Sequence, residues 1–189
     1  MAAHLSIIVP THDGAGLDTL FASLANQLMR GDEVIVVGDT CDGPLPAVEH
    51  QVRAAGYEYY ELDTGHHCYG HCQINWGIVY AYTDYLIFID DDDCFPDGAL
   101  DSIRRAIAEQ AAPRPLMFTF YSRRHGRTLP PGHYVQESAI GGHAMVVPNM
   151  PEQLGVWSCR YAGDFDFIQS TLALWPDGPA WYDDVIACA

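Results

Sequence analysis

Short apolar runs recur along the chain and predict buried strands. They are rich in β-branched and aromatic residues, and most of them end at Gly, Pro or Asp residues that favour turns. Runs of this length are typical of strands whose two faces are both covered. The predicted strands are Leu5 to Pro10, Glu33 to Val37, Tyr57 to Leu62, Tyr85 to Ile89, Leu116 to Tyr121 and Ile140 to Val147.

Amphipathic stretches lie between these runs and predict helices. The clearest begins at Leu17, where large apolar residues recur every three or four positions until a stop near Gly31. Weaker patterns predict helices over about 47–55, 72–82 and 163–174, and another helix capped by Asp97. Ser122 to Pro131 is predicted to be a loop. Because strands alternate with helices, we expect an α/β fold with a mostly parallel sheet and helices on both faces.

Composition narrows the class of protein. The 189 residues fit a single domain, and 49% hydrophobic with 18% charged residues excludes a disordered chain. The formal net charge is −16, and the chain has nine Arg and no Lys. Such a chain is a poor general binder of nucleic acid or anionic membrane, because neutralisation of phosphate drives that affinity.

The N-terminal pattern and the hydropathy bear on location. The sequence has no run of 18 apolar residues, so no membrane span is expected. A signal-peptide pattern is not recognised, since His4 leads directly into a strand-like run. A cytoplasmic location and free thiols for the six Cys are therefore expected.

Four consecutive Asp residues, Asp90 to Asp93, follow the strand that ends at Ile89. Their like charges repel unless something neutralises them. In an extended chain, Asp90 and Asp92 point the same way and could share one hard cation such as Mg²⁺ or Mn²⁺, with diphosphate oxygens completing its shell. The alternative is a solvated acidic turn in which Asp93 or Asp97 caps a helix.

Polar residues also follow the first two strands. Thr11, His12 and Asp13 follow the first, whereas Asp39 and Asp42 follow the second. The carboxyl ends of neighbouring parallel strands share one edge of a sheet, so these side chains could bind a base and a ribose there. Read alone, each is more typical of a turn or a cap than of a ligand contact.

Taken in order, these pieces resemble the motifs of a family-2 glycosyltransferase of the GT-A fold. The resemblance covers nearly the whole chain, and it is most specific for the first strand, the second strand and the acidic strand together. The matching segments are Ser6 to Thr11, Leu17 to Gln27, Glu33 to Asp39 with Asp42-Gly43, Gly70 with Asn75, Gly77 and Ile78, Tyr85 to Asp93 with Pro96 and Leu100, Gly141-Gly142 before Met145, and Gly163-Asp164 with Asp166.

The resemblance implies a GT-A-like, Rossmann-like fold with a mixed and mostly parallel sheet flanked by helices. It implies one domain over 1–189, with a nucleotide-sugar half over about 1–110 and an acceptor half over about 111–189. It further implies an inverting, hexosyltransferase-type glycosyltransferase that uses Mn²⁺ or Mg²⁺. The donor would be a nucleotide sugar, with a UDP-sugar preferred, and the acceptor is unknown.

Roles for single residues follow from the same resemblance. Asp92 and Asp90 would hold the metal, and Asp164 would be the catalytic base, with Asp166 as the alternative. The chain departs from the family at Ile74, where Arg is frequent, and at Gly163, where Glu is common; no His follows Asp164. The residues implied in donor binding are Pro10, Thr11, His12, Asp13, Asp39, Asn75, Asp90 and Asp91.

A basic segment stands out on this acidic chain. Arg123, Arg124, His125 and Arg127 are its densest positive group. Because Arg suits phosphate recognition, they could contact a diphosphate or an anionic acceptor; a solvated loop is the alternative. Arg123, Arg124 and Arg127, together with Gly142 and His143, are the candidate acceptor or phosphate contacts.

A second unusual segment contains His66, His67, Cys68, His71 and Cys72. The composition suits Zn²⁺, although the spacing differs from common zinc fingers. A histidine facing the substrate and ordinary helix packing are the alternatives. Three other functions stay open: a non-catalytic nucleotide-sugar-binding module, a zinc-stabilised interaction protein, and a nucleotidyltransferase, which usually has a Gly-rich, basic segment after its first strand.

Overall fold

The structure is a computed structural model that describes residues 2–65 and 68–189. These residues form one sheet of eight strands and five α-helices. The strands are β1 (Leu5–Thr11), β2 (Glu33–Asp39), β3 (Glu58–Leu62), β4 (Tyr85–Phe88), β5 (Leu116–Ser122), β6 (Arg127–Leu129), β7 (Met145–Pro148) and β8 (Ala180–Cys188). The helices are α1 (Leu17–Leu24), α2 (Pro46–Ala54), α3 (His71–Tyr80), α4 (Ala99–Ala108) and α5 (Gly163–Leu172).

The sheet is mixed. Its strand order is β3-β2-β1-β4-β7-β5-β6, and β8 lies beside β5. Strands β1, β2, β3 and β4 are parallel, whereas β7 runs antiparallel to both β4 and β5. The carboxyl ends of β1, β2 and β4 therefore meet at one edge of the sheet, as the sequence predicts.

Both faces of the sheet are covered, which explains the uninterrupted apolar runs. Successive residues of a strand point to opposite faces, so Ile7 joins the core beneath α1, α2 and α4, whereas Ile8 joins the core beneath α3 and α5. Ile87 and Phe88 of β4 divide in the same way. The acidic residues after β4 are thus attached to a rigid central strand.

The second half of the chain differs from the sequence prediction. The predicted loop 122–131 contains β6, which forms an antiparallel hairpin with β5. Strand β8 was not predicted, because its Trp-Tyr-Asp-Asp segment lacks an apolar pattern; it pairs with β5 in parallel. Residues 142–144 form a 3₁₀ turn in place of the start of a strand. Gly98, and not Asp97, occupies the N-cap of α4, without a side-chain cap.

Two further expectations are tested by the fold. The expectation of free thiols is wrong for Cys68 and Cys159, which form a disulfide across 91 residues of sequence. A pairing over that separation leaves no local signal.

Within the described part of the chain, none of the helices combines the length and the apolar character needed to cross a membrane.

Candidate active site

The acidic residues after β4 divide into two groups. Asp90, Asp91 and Asp92 line a cavity, whereas Asp93 is buried against Arg123, with its carboxylate 3.1 Å from the guanidinium. Arg123 also donates hydrogen bonds to the backbone oxygens of Asp92, at 2.7 Å, and of Cys188, at 3.0 Å. Arg123, predicted as a substrate contact, is therefore a brace that joins the acidic turn to β8.

The loop after β1 packs directly against the acidic turn. The hydroxyl of Thr11 donates a hydrogen bond to the Asp91 carboxylate. Gly16 lies so close that a Cβ atom there would overlap the Asp91 carbonyl oxygen and the Asp92 Cα. A side chain at Gly16 would thus push the two loops apart, and the cavity between them depends on this glycine.

The first cavity lies at the carboxyl ends of β1, β2 and β4 and has a volume of about 810 Å³. Eight of the nine residues predicted for the donor or the metal line it: Pro10, Thr11, His12, Asp13, Asp39, Asp90, Asp91 and Asp92. Asn75 is the exception. Ala15, Gly16, Asp42, Cys68, Tyr69, Gly70 and Gln73 complete the lining. We call this space the donor cavity.

Asp39 is held rigidly at the wall of the donor cavity. Its carboxylate accepts hydrogen bonds from the Thr64 hydroxyl at 2.8 Å and from the Cys41 backbone N–H at 3.0 Å. Burial alone would raise the pKa of Asp39, but these hydrogen bonds outweigh it and the pKa is lowered. The side chain is consequently an ionised hydrogen-bond acceptor.

The electrostatics of the acidic turn favour a cation. Burial, reinforced by the charges of Asp92, Asp91 and Asp164, raises the pKa of Asp90 to about 7. The Asp90 side chain opens into the cavity while protein encloses its remaining sides, so it is accessible and still poorly solvated. Burial likewise raises the pKa of Asp91. Asp90 and Asp92 offer hard oxygen ligands at the wall of this cavity, and such ligands fit Mg²⁺ or Mn²⁺.

A second cavity, of about 700 Å³, adjoins the first. Asp90 and Tyr69 line both cavities, so the two spaces meet there. Of the predicted residues, Arg124, Arg127, Gly142, His143 and Asp164 line the second cavity. Tyr69, His71, Ile74, Phe88, Ile89, His125, Glu137, Ser138, Ile140, Trp157, Tyr161 and Ala162 also line it. We call this space the acceptor cavity.

Asp164 and Asp166 have opposite environments although both lie in the first turn of α5. Burial raises the pKa of Asp164, which faces the acceptor cavity. Asp166 lies outside that lining and accepts hydrogen bonds from Ser158 and from two guanidinium nitrogens of Arg160, one of them at 2.6 Å. These bonds lower the pKa of Asp166 to about 2. Asp166 is thus an anchor for the loop that precedes α5.

Gly163 has a steric role at the start of α5. A Cβ atom there would overlap the Ser158 carbonyl oxygen and the ring of His71. His71 and that carbonyl oxygen are hydrogen-bonded at 2.8 Å through Nδ1. The glycine that departs from the family pattern therefore makes room for His71 at the floor of the acceptor cavity.

The aromatic wall of the acceptor cavity was missed by the sequence analysis. Trp157 is buried and stacks on Phe167 with ring centroids 4.8 Å apart, and a Cβ at Gly142 would overlap its ring. Tyr69 and Tyr161, by contrast, are 60% and 74% exposed and meet edge to face. Isolated aromatic residues in loops carry no periodic signal, so sequence patterns do not separate them from core residues.

The positive residues of this cavity have few partners. Arg124 lies 3.4 Å from the Tyr161 hydroxyl, and Arg127 begins the exposed strand β6. His143 packs edge-on against Phe120 at 4.1 Å, and its burial lowers its pKa to about 4, so it is neutral at physiological pH. The positive charge here comes from the two arginines.

Of the predicted His/Cys group, His66 and His67 lie outside the described residues.

The fold of this chain is similar to those of several solved structures. S. aureus TarS 1-349 matches with a TM-score of 0.77 at 18% identity, over 98% of this chain and 60% of that chain. The same protein in complex with UDP-GlcNAc matches with a TM-score of 0.72 at 16% identity, over 98% of this chain and 58% of that chain. A third match is the mannosyltransferase PcManGT from Pyrobaculum calidifontis, in complex with GDP-Man and Mn²⁺. Its TM-score is 0.67 at 16% identity, over 100% of this chain and 57% of that chain. The predicted GT-A-like fold is confirmed.

The family follows from the sequence itself. Residues 6–113, more than half of the chain, match the family model described as glycosyl transferase family 2. The chain belongs to this family. It spans 36–60% of the length of the solved TarS and PcManGT chains it matches. No curated protein sequence matches it.

Proposed function

We propose that the protein is a metal-dependent, inverting glycosyltransferase that moves a sugar from a nucleotide-sugar donor to an acceptor hydroxyl. The observation that carries this proposal is the meeting of two cavities at Asp90, with a carboxylate-lined donor side and Asp164 on the acceptor side. A UDP-sugar is the preferred donor. Solved relatives in complex with UDP and UDP-GlcNAc support that preference, although another contains GDP-Man.

The donor cavity supports nucleotide binding through groups of the chain itself. Asp39, ionised and held by Thr64, accepts a hydrogen bond from an N–H of the base. Thr11, His12 and Asp13 border the ribose and the base at the end of β1. The first half of the chain, about 1–110, would then bind the donor, since every lining residue of this cavity falls within it.

Asp92 and Asp90 are the residues that would hold Mn²⁺ or Mg²⁺, with Asp91 positioned by Thr11. The cation, when bound, would offset negative charge on the departing nucleoside diphosphate. Burial, together with repulsion from the neighbouring carboxylates, raises the pKa of Asp90, and a bound cation would offset both effects.

Asp164 acts as the general base in this proposal. Its raised pKa makes it a better proton acceptor than Asp166, whose charge is already held by Arg160 and Ser158. It removes the proton of the acceptor hydroxyl as that oxygen attacks the anomeric carbon from the side opposite the diphosphate. This in-line attack inverts the anomeric centre.

The acceptor cavity supports an acceptor with an anionic group. Arg124 and Arg127 face it on a chain whose net charge is −16, while the exposed rings of Tyr69 and Tyr161 offer apolar surfaces for a sugar. Arg binds phosphate and carboxylate well. A cytoplasmic location stays a prediction, and nucleic acid is not expected as a partner because of the net charge.

Calorimetric titration with UDP and with GDP, each in the presence of Mn²⁺ and of EDTA, tests the proposal. UDP should bind with Mn²⁺, and Asp92→Ala should abolish the binding. Asp97→Ala, which removes an exposed carboxylate from the same segment, is the matched control and should bind normally. Failure of both nucleotides to bind would overturn the proposal. Metal-dependent binding without donor hydrolysis or sugar transfer would favour a non-catalytic nucleotide-sugar-binding module.

A further inference from the structure

Three cysteine sulfurs converge beside the donor cavity, which Cys68 lines. Cys68 precedes α3, Cys72 lies in its first turn, and Cys159 lies in the loop before α5. All three Sγ atoms are within 4.8 Å of one another. Cys68 and Cys159 are joined as a disulfide, and Cys72 is the third sulfur beside them. A disulfide needs two sulfurs, so the third requires a separate explanation.

We propose that, in the reduced protein, Cys68, Cys72 and Cys159 form a thiolate site for Zn²⁺. Zinc bonds to thiolate sulfur at about 2.3 Å in a tetrahedral arrangement, which places neighbouring sulfurs about 3.8 Å apart. Three sulfurs within 4.8 Å of one another can reach that spacing by side-chain rotation once the Cys68–Cys159 disulfide is reduced. Three protein ligands leave the fourth tetrahedral position for water.

The chemistry of the ligands separates this site from the carboxylates of the donor cavity. Thiolates are soft ligands that select Zn²⁺, whereas the hard oxygens of Asp90 and Asp92 suit Mn²⁺ or Mg²⁺. The two sites can therefore be loaded and tested independently. The zinc site does not depend on the proposed glycosyl transfer.

The disulfide and the zinc site are alternative cross-links of the same two segments. A dithiol reductant converts the Cys68–Cys159 disulfide to two thiols and is itself oxidised to a disulfide. Zn²⁺ then binds the three sulfurs and releases their three protons. The reduction potential of the cellular thiols thus determines whether the disulfide or the zinc site is present.

The position of the site indicates what it stabilises. Cys159 lies between Ser158 and Arg160, the two residues that hold Asp166. Cys68 lies beside Tyr69, which lines both cavities. A metal at this point would tie the loop before α5 to the start of α3, and so hold both loops at the junction of the cavities.

Zinc content of the full chain tests the proposal. The protein is reduced with a dithiol, stripped with a chelator, and titrated with Zn²⁺ against a chromophoric chelator. We expect one Zn²⁺ per chain, and Co²⁺ in its place should give thiolate-to-metal charge-transfer absorption. Cys68→Ser, Cys72→Ser and Cys159→Ser should each weaken the affinity about 100-fold or more, since each removes a direct ligand.

Two control variants keep the result specific. Cys94→Ser, at a cysteine outside the group, should retain full zinc affinity, and so should Asp92→Ala. Zinc should also raise the Tm of the reduced wild type, and fail to do so for Cys72→Ser. A reduced chain that takes up no stoichiometric zinc, or a Cys72→Ser variant that binds it normally, would overturn the proposal whatever the outcome of the nucleotide titration.

Discussion

The side-chain amide of Asn75 makes two hydrogen bonds to the backbone of Trp157. Its Nδ2 donates to the Trp157 carbonyl oxygen at 2.8 Å, and the Trp157 N–H donates to its Oδ1 at 3.1 Å. Both hydrogen-bonding groups of the amide are therefore used across 82 residues of sequence. Asn75, predicted to bind the donor, lies outside the lining of the donor cavity and holds the backbone of Trp157, which lines the acceptor cavity.

Replacement of Asn75 should cost stability but leave donor binding intact. Asn75→Ala leaves two buried backbone groups of Trp157 unpaired, so the free energy of unfolding should fall by about 2–4 kcal/mol. Urea denaturation measures this, and calorimetry should show an unchanged Kd for UDP. Asn149→Ala is the control, because that amide also bonds two carbonyls, those of Ala81 and Thr83, outside both cavities. A weaker UDP affinity in Asn75→Ala, but not in Asn149→Ala, would show that Asn75 contributes to donor binding.

Gly16 should be required for the shape of the acidic turn. Gly16→Ala places a methyl group in overlap with the backbone of Asp91 and Asp92. The turn must then move, at a cost of about 1–3 kcal/mol in stability, and metal-dependent UDP binding should weaken. Gly132→Ala is a milder control, since its Cβ would meet only the side chain of Tyr134, at 3.2 Å. Normal metal and nucleotide binding by Gly16→Ala would contradict the close packing.

Asp164 should be needed for turnover and not for donor binding. Asp164→Asn keeps the size of the side chain but removes its ability to accept a proton, so kcat should fall by about 10²–10⁴-fold. The Kd for UDP with Mn²⁺ should stay at the wild-type value. Asp177→Asn, at an exposed position remote from both cavities, serves as the control. An equal loss of UDP affinity in Asp164→Asn would exclude the role of base.

Asp166 should contribute stability that depends on pH. Its pKa falls from 3.8 to about 2 on folding, because Arg160 and Ser158 bond the charged form. The unfolded chain binds this proton first, so the contribution is complete above about pH 4 and is lost as the pH falls toward 2. The Tm difference between wild type and Asp166→Asn should shrink over that window. A difference that stays constant from pH 7 to the acid limit would show that the ion pair is not its source.

Arg124 and Arg127 should determine a preference for charged acceptors. With a matched panel of neutral sugars and sugar phosphates, the wild type should transfer faster to the phosphates. Arg124→Ala with Arg127→Ala should remove that preference and leave UDP binding unchanged, because the charge-assisted contacts are lost. Arg105→Ala, on α4 and paired with Asp184, is the control. Equal rates with neutral and phosphorylated acceptors in the wild type would refute the anionic acceptor.

The donor side of the cleft could be predicted from the sequence because its geometry follows from local order. Its predicted polar groups, apart from Asn75, lie at or just beyond the carboxyl end of a parallel strand, and parallel strands end at one edge of the sheet. The sequence alone therefore predicts that Asp39, at the end of β2, and Asp90, just after β4, reach the same cavity. Asn75 lies inside a helix, where the partner of a side chain depends on what packs against that helix, so its contact with Trp157 could not be predicted.

The acceptor side could not be predicted to the same depth. Asp164 and Asp166 are two residues apart in one helix, which places them about 200° apart around its axis. Sequence spacing therefore predicts that they face different ways, but not which one faces the cavity. The salt bridge between Arg160 and Asp166 decides that point.

Sequence patterns were enough to predict the strands and helices of the first half, the acidic turn after β4 and the family. These features depend on residue type and on spacing within one element. Three other features came from the folded chain: Arg123 braces the acidic turn, Trp157 lines the acceptor cavity, and Cys159 lies beside Cys68 and Cys72. Such contacts link residues far apart in the chain, and their formation depends on the packing of whole elements against each other.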